Sequence, residues 1–408
     1  MKVLQINCVY RTGSTGKIVY DIHTELQKQG IESVVCYGRG EKINEPNVYK
    51  TCGELYSKIN NLLSRFTGIM YGGGFFSTRK LIHIIEKEKP DVVHLHCLNG
   101  YFVNIYRLII WLKKHHIHTV LTLHAEFMYT ANCGYALDCE KWMTGCGNCP
   151  RLKKETQSLI FDQTHTSWMK MKKAFDGFND NLIVTSVSPW LMKRAKQSPI
   201  LSDKNHYVIL NGIDTENVFH PRTSKLRKEL GLENKKVVVH VTASFTREIK
   251  GGKYVIELAK RMPDVVFIVI GNTDKGLSLP KNMIDIGRTE NQTELAEYYS
   301  IADAFLLTSQ KETFCMPVAE SLCCGTPVVG FKAGAPEEIA IPEFSIFVDF
   351  GDTVGLQAGL EKVLKKTANH EDISEKAIAK YSKHIMAEGY LSVYGDVYIP
   401  ESKSKRLK

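Results

Sequence analysis

Two doubly wound α/β domains are the fold class that this sequence predicts, on three observations. Apolar strand-like runs alternate with helical patterns through both halves, the rhythm of parallel sheets joined by crossover helices. The rhythm restarts beyond "VILNGIDTENVFHP", where Asn-Gly and Pro mark turns at a linker. A chain of 408 residues is long enough for two domains that each bury a core.

In the first half the strands are "KVLQINCVY", "ESVVCYG", "PDVVHLHC", "HTVLTLHA" and "NLIVTSVS". A helix "KIVYDIHTELQKQG", closed by Gly30, succeeds the first turn, and further helices lie around 79–89, 102–116 and 160–175. Residues 55–76 fit neither pattern, and "GIMYGGGFF" reads as a mobile loop with exposed apolar residues. In the second half the strands are "KKVVVHVTA", "DVVFIVIGN", "NMIDIGR", "DAFLLTS", "TPVVGFK" and "FSIFVDF", with helices near 250–262, 292–301 and 317–324. Ligands of such sheets bind beyond the carboxyl ends of the strands, so the expected site is a cleft between the domains.

With 43% apolar and 24% charged residues the chain is an ordinary globular one, neither disordered nor fibrous. No apolar run is long enough to span a bilayer, and the opening residues lack a signal-peptide layout, which points to a cytoplasmic protein. Charge is uneven: residues 1–200 hold 26 Lys and Arg against 16 Asp and Glu, whereas residues 201–408 are nearly neutral. The first half is therefore expected to face something anionic, with a merely basic solvated surface as the alternative.

The opening loop "RTGSTGKIV" resembles a phosphate cradle only in outline. A P-loop needs four residues between its glycines and a hydroxyl after the lysine. Here Gly13 and Gly16 are three apart, and Ile18 comes after Lys17. Triphosphate hydrolysis is disfavoured on those grounds; what remains is either a helix N-terminus whose N–H groups suit a diphosphate or a hydroxyl, or a plain strand–helix turn.

The strongest signal is "SQKETFCMPVAESLCCGTPVVG", residues 309–330. Glu312 lies in the loop after a strand, Pro317 opens a helix, and Glu320 sits on that helix, so both carboxylates can meet one ligand at the sheet edge. Carboxylates accept strongly from sugar hydroxyls.

On these residues the chain resembles the retaining family 4 glycosyltransferases of the GT-B fold, of the kind that builds bacterial exopolysaccharide, capsule and O-antigen glycans. "NGIDTENVFHP" looks like their inter-domain signature, "ELAEYYSIADAFLLTSQKETFCMPVAESLCCGTPVVG" is similar to their donor-binding stretch, and "AGAPEEI" matches the segment next along the chain in that family. The resemblance implies two Rossmann-like domains facing across a cleft: 1–205 on the acceptor side with a Cys-rich insertion at about 130–152, 206–375 for the nucleotide-sugar, and a helical segment 376–408 packing back on the first domain.

The resemblance also implies roles. Glu312 contacts the donor sugar and Glu320 the ribose. Lys250, which on its own residues reads as a solvated lysine at a helix start, corresponds to the phosphate-binding lysine. His124, in "LTLHAEF", resembles the histidine near the reacting carbon, so the implied catalytic set is His124, Glu312 and Lys250. Donor contacts are further implied for Gly13, Ser14, Thr15, Gly16, Ile286, Gly287, Arg288, Thr313, Phe314, Cys315, Met316, Pro317 and Val318. Two positions depart from the pattern. Ser244 stands where the family carries an arginine, which leaves Arg247 to reach the phosphates, and Cys315 replaces a glycine, which narrows the donor pocket.

No two aspartates are separated by a single residue, so the metal-binding D-x-D motif is absent and a reaction without a catalytic metal is expected, with Lys250 and helix N-termini in the metal's place. The expected reaction is hexosyl transfer from a nucleotide-sugar, a UDP-sugar, to a lipid-linked or oligosaccharide acceptor in cell-surface glycan synthesis. The alternatives are a sugar-nucleotide epimerase, a phosphorylase, or a zinc-containing nucleic-acid-binding protein. The last is disfavoured, because the second half is neutral and carries no nucleic-acid module.

"NCGYALDCEKWMTGCGNCP" places Cys133, Cys139, Cys146 and Cys149 in a Gly-rich loop, a pattern that fits a structural zinc site, with a disulfide pair or unligated thiols as alternatives. In the next stretch Lys153, Lys154, Lys170, Lys172 and Lys173 alternate with Trp168, Met169, Met171 and Phe175. That pattern suits either peripheral contact with the anionic inner face of the cytoplasmic membrane or a helix packed on the core.

Overall fold

The computed structural model describes residues 1–274, 276–366 and 369–397. The described residues form two compact units: Met1–Leu210 together with 386–397, and Asn211–Ile385.

The first unit is built on seven parallel strands: β1 (Lys2–Asn7), β2 (Glu32–Tyr37), β3 (Val48–Lys50), β4 (Val92–Leu95), β5 (Thr119–Leu123), β6 (Leu182–Ser186) and β7 (Asn205–Val208). They run in the order β3-β2-β1-β4-β5-β6-β7. Such strands are covered on both faces, which is why β1, β4, β5 and β6 read as nearly continuous apolar runs. The short β3 and the largely exposed β7 lack that run, and the sequence pattern passes over both.

Around the sheet lie helices Gly13–Lys28, Phe75–Glu88, Ile105–Lys114 and Thr164–Phe175. Gly13–Lys28 starts four residues before the expected "KIVYD" and takes the whole glycine loop as its first turn. Residues 55–76 also differ from expectation. Glu54–Thr67 is a helix, Met70 and Tyr71 are buried, and Phe75 opens the next helix. The helix buries Ser57, Asn60 and Ser64 rather than its apolar residues, so its hydrophobic stripe does not mark the core.

The last helix, Lys383–Val397, contributes Tyr390 and Tyr394 to the interior of this unit. The Tyr394 hydroxyl stands 2.6 Å from His94 Nδ1, and Tyr390 stands 3.1 Å from Thr122 Oγ1. Residues 398–408 of the expected C-terminal segment lie outside the described residues.

The second unit carries β8 (Lys236–Thr242), β9 (Val265–Gly271), β10 (Met283–Gly287), β11 (Ala304–Leu307), β12 (Val328–Phe331) and β13 (Ser345–Val348), all parallel, in the order β10-β9-β8-β11-β12-β13. One core joins Val238, Phe267, Leu306 and Val329 of the sheet to Val255 and Leu258 of helix Gly252–Arg261 and to Leu356 and Leu360 of helix Thr353–Leu364. Each such side chain is worth roughly 1.5–3 kcal/mol of burial, so this face anchors the loops above it.

Candidate active site

In each sheet the strand order reverses at one place, and there the loops leaving neighbouring strands part and open a crevice. In the second unit that place lies between β8 and β11. The loop after β8 leads to a short 3₁₀ turn, Glu248–Lys250, and the loop after β11 carries Glu312. The two loops are bonded: the Gln310 amide donates to the Ile249 carbonyl at 2.8 Å, and Thr308 Oγ1 donates to the Lys250 carbonyl at 2.9 Å. Across this junction Lys250 Nζ meets Glu312 Oε1 at 2.5 Å, with both side chains mostly sheltered.

Gly251 makes the approach possible. It sits at φ +69°, and a Cβ there would lie 2.1 Å from the Thr308 carbonyl oxygen, so any larger residue would push the lysine turn off the β11 loop.

Beyond Glu312 the chain turns through Thr313 and Phe314, both buried, into helix Met316–Cys323, with Pro317 in its first turn. Glu320 is buried on this helix and accepts from the Tyr299 hydroxyl at 3.2 Å. Cys315 precedes the helix at φ +78°, a left-handed conformation that costs a non-glycine residue about 1–2 kcal/mol. Its carbonyl accepts from Val318 N at 3.1 Å. Burial pushes the Cys315 thiol well above its ordinary range; the Glu312 and Glu320 carboxylates push the same way and the Lys250 ammonium opposes them.

The remaining second-unit residues sit nearby in the fold. Ser244 comes just after β8 and is half-buried, its amide donating to Thr242 Oγ1 at 3.4 Å, while Arg247 is exposed. Ile286 and Gly287 close β10, and Arg288 Nε donates to Asn272 Oδ1 at 2.8 Å.

In the first unit the order reverses between β1 and β4, and the expected residues of that unit gather at this edge and at the end of the adjoining β5. Gly13, Ser14, Thr15 and Gly16 form the first helical turn after β1. Gly16 packs so closely that a Cβ would come within 3.3 Å of the Arg11 amide nitrogen. Asn7 Oδ1 accepts from the Cys97 amide at 3.0 Å and ties the β1 edge to the β4 edge. Beside Cys97, His96 Nδ1 lies 3.1 Å from Nε2 of His124, the residue just after β5. Burial lowers the His124 pKa to about 4, so the ring is neutral near pH 7.

His94, His96, Tyr299 and Thr308 did not stand out in the sequence. "HLHC" does carry a signal for the first two, since residues two apart on a strand share one face, and their rings lie 3.8 Å apart between centroids, tilted by 36°. The carboxylate of Glu126 is fully buried; it accepts from Ala136 N at 2.7 Å and pairs with Arg194 at 2.7 Å, which fixes the base of the Cys-rich insertion.

Within that insertion Cys133, Cys139, Cys146 and Cys149 are free thiols that line one cavity of about 20 Å³. Among the described residues no group of three or more His, Cys, Asp or Glu side chains is arranged to hold a metal ion, so the four thiols share a space without forming a ligand set. Helix Thr164–Phe175 buries Trp168, Met171 and Phe175 and leaves only Met169 of its large apolar residues exposed. Of the two expected readings of this stretch, packing on the core describes its aromatic residues.

Two parallel α/β sheets, each with a switch point, are the architecture of the GT-B fold. Residues 15–217 match the model of Glycosyltransferase Family 4, and residues 222–380 match that of Glycosyl transferases group 1. The chain belongs to the family 4 glycosyltransferases.

It is 22% identical to an N-acetyl-alpha-D-glucosaminyl L-malate synthase of Bacillus anthracis, over 96% of this chain and 95% of that one. It is 24% identical to a putative colanic acid biosynthesis glycosyl transferase of Escherichia coli K12, over 97% and 99%. Its fold is similar to sucrose-phosphate synthase from Thermosynechococcus elongatus, with TM-score 0.71 and 16% identity over 98% and 99% of the two chains. It is also similar to Anabaena HepE in complex with UDP-glucose, with TM-score 0.65 and 16% identity over 97% and 100%.

Proposed function

We propose that the chain is a retaining, metal-independent hexosyltransferase that moves a sugar from a UDP-sugar to a lipid-linked or polysaccharide-precursor acceptor in cell-surface glycan synthesis. The observation that carries this reading is the Lys250–Glu312 contact at the second switch point, with the buried Glu320 on the adjoining helix Met316–Cys323. Lys250 and the N–H groups at the start of that helix supply positive charge where a diphosphate leaves, the task a divalent metal performs in other transferases. Glu312 and Glu320 accept from hydroxyls of the sugar and the ribose.

The donor reading draws support from HepE, solved with UDP-glucose, and the acceptor reading from the colanic acid transferase that the chain resembles over its whole length. Among the described residues no helix is long and apolar enough to cross a membrane, so contact with a lipid-linked acceptor is proposed to be peripheral, at the inner face of the cytoplasmic membrane. The cysteine loop is proposed to close on a structural zinc, which requires its four thiols to converge further than they do here.

The test is sugar transfer from a UDP-sugar to a polyprenyl-diphosphate acceptor, monitored by mass spectrometry and by the anomeric configuration of the product. Undiminished transfer in chelator with the donor's configuration kept is the expected result. Loss in chelator with rescue by magnesium or manganese overturns metal independence, and an inverted product overturns retention.

A further inference from the structure

Helix Glu54–Thr67 is turned inside out. Its buried residues are Ser57, Asn60 and Ser64, while Leu55, Ile59, Leu62, Leu63 and Phe66 are between 46% and 73% exposed. The spacing of these five at i, i+4, i+7, i+8 and i+11 puts them on one face. Burying that face against the sheet would be the ordinary outcome; here polar groups hold the helix down instead. Ser64 Oγ donates to the Ile69 carbonyl at 2.9 Å, and Asn60 Nδ2 donates to the Tyr101 carbonyl at 3.4 Å.

The apolar surface continues on both sides. Phe75 and Phe76 are exposed, and the Phe76 amide donates to the hydroxyl of Tyr56 on the same helix at 3.2 Å. At the other end the Leu159 amide donates to the Arg65 carbonyl at 2.8 Å, which brings the exposed Leu159, Ile160 and Phe161 alongside the helix terminus. Contiguous exposed apolar area of this extent marks an interaction surface.

Its charge selects the occupant. Residues 54–80 hold Lys58, Arg65, Arg79 and Lys80 against a single acid, Glu54, which is paired with Arg39. Arg107 lies over the Phe75 ring at 4.5 Å, and exposed Lys153 and Lys154 precede the 159–161 loop. We propose that this face docks the first unit on an anionic lipid bilayer, with the leucines and phenylalanines entering the headgroup layer and the basic groups meeting the phosphates. A second copy of the chain is the poorer fit, because a symmetric pairing would set these cations against one another. The inference rests on the reading of a membrane-borne acceptor, and it moves the contact from the lysine-rich helix Thr164–Phe175, whose aromatic residues are buried, to a surface centred on helix Glu54–Thr67.

The test is flotation of the full chain with phosphatidylglycerol-containing vesicles and with phosphatidylcholine vesicles, for wild type, for Leu62→Glu with Phe66→Glu, and for Phe75→Ser with Phe76→Ser. Melting temperature and sedimentation velocity report folding and oligomeric state. Wild type is expected to float with the anionic vesicles. The Leu62→Glu, Phe66→Glu pair is expected to lower partition by about 100-fold, since each large apolar side chain withdrawn is worth roughly tenfold, with an unchanged melting temperature. The Phe75→Ser, Phe76→Ser pair acts in the same direction and stands in if the first does not fold. Floating of both variants like wild type overturns this surface and leaves the membrane reading intact. Wild type that ignores every vesicle overturns the membrane reading and this surface with it. A wild-type dimer dissolved by either pair shows that the occupant is a second copy and overturns the lipid assignment.

Discussion

Replacing Lys250 by Ala separates a catalytic lysine from a structural one. Lys250 Nζ lies 2.5 Å from Glu312 Oε1, with about a quarter and an eighth of the two side chains exposed. A charge-assisted hydrogen bond is worth roughly 1.5–3 kcal/mol when desolvated, and partial exposure reduces that. The fold should therefore lose about 1 kcal/mol, a fall of a few degrees in melting temperature for a domain of this size. The effect on transfer should be larger. A donor aimed at charge that develops in the transition state contributes about 10²–10³-fold in rate, and on the proposed reading Lys250 is such a donor. We expect kcat/KM for Lys250→Ala to fall by that factor, with Lys250→Arg recovering part of it because the charge is kept but the reach differs. Steady-state kinetics beside thermal melting make the comparison. A variant within threefold of wild type, or a loss of activity matched by a loss of folded protein, would refute the assigned role.

Other expectations concern the scaffold. Gly251→Ala and Gly13→Ala both place a Cβ on a left-handed backbone, at φ +69° and +64°, but only the first meets a carbonyl oxygen, at 2.1 Å, whereas nothing lies within 4 Å of the second. Gly13→Ala should cost about 1–2 kcal/mol and Gly251→Ala clearly more; equal melting temperatures would contradict the packing described. Burial holds His124 and His240 at about 4, below the ordinary 6.5, so the unfolded chain binds protons that the folded one refuses. Their contribution to stability is complete above about pH 6.5 and is lost as pH falls toward 4, by on the order of 1–2 kcal/mol per histidine at pH 5. Melting temperatures that stay flat from pH 7.5 to 5 would show that these rings titrate freely. Elemental analysis of purified protein should find about one zinc per chain if the loop from Cys133 to Cys149 closes as proposed; no zinc with four titratable thiols ends that reading.

Most strands could be read in advance because strands of a doubly covered parallel sheet are apolar along their whole length, as in "VVFIVIG" of β9. Short β3 and solvent-facing β7 have no such run. Helix Glu54–Thr67 escaped for the opposite reason: its stripe is well spaced but faces outward, so nothing about its pattern ties it to the core. Glu312 and Glu320 were legible from their strand–loop–helix setting, and the structure adds Tyr299 as the partner of Glu320. Lys250 was legible only through family resemblance; its pairing with Glu312 across 62 residues is a product of the strand order and of Gly251. The link from His94 to Tyr394 spans 300 residues, beyond any local pattern.

The claim on which the account turns is that the second switch point grips a nucleotide-sugar. Melting the full chain against a panel of UDP-, GDP- and dTDP-sugars tests it most directly, because a ligand of the folded state alone raises stability. At about 100 times its dissociation constant a true donor contributes roughly 2.7 kcal/mol, a rise of about 5–10 °C. We predict that rise for a UDP-sugar and its loss in Glu320→Ala. A flat response of the folded wild-type chain across the whole panel would contradict the account.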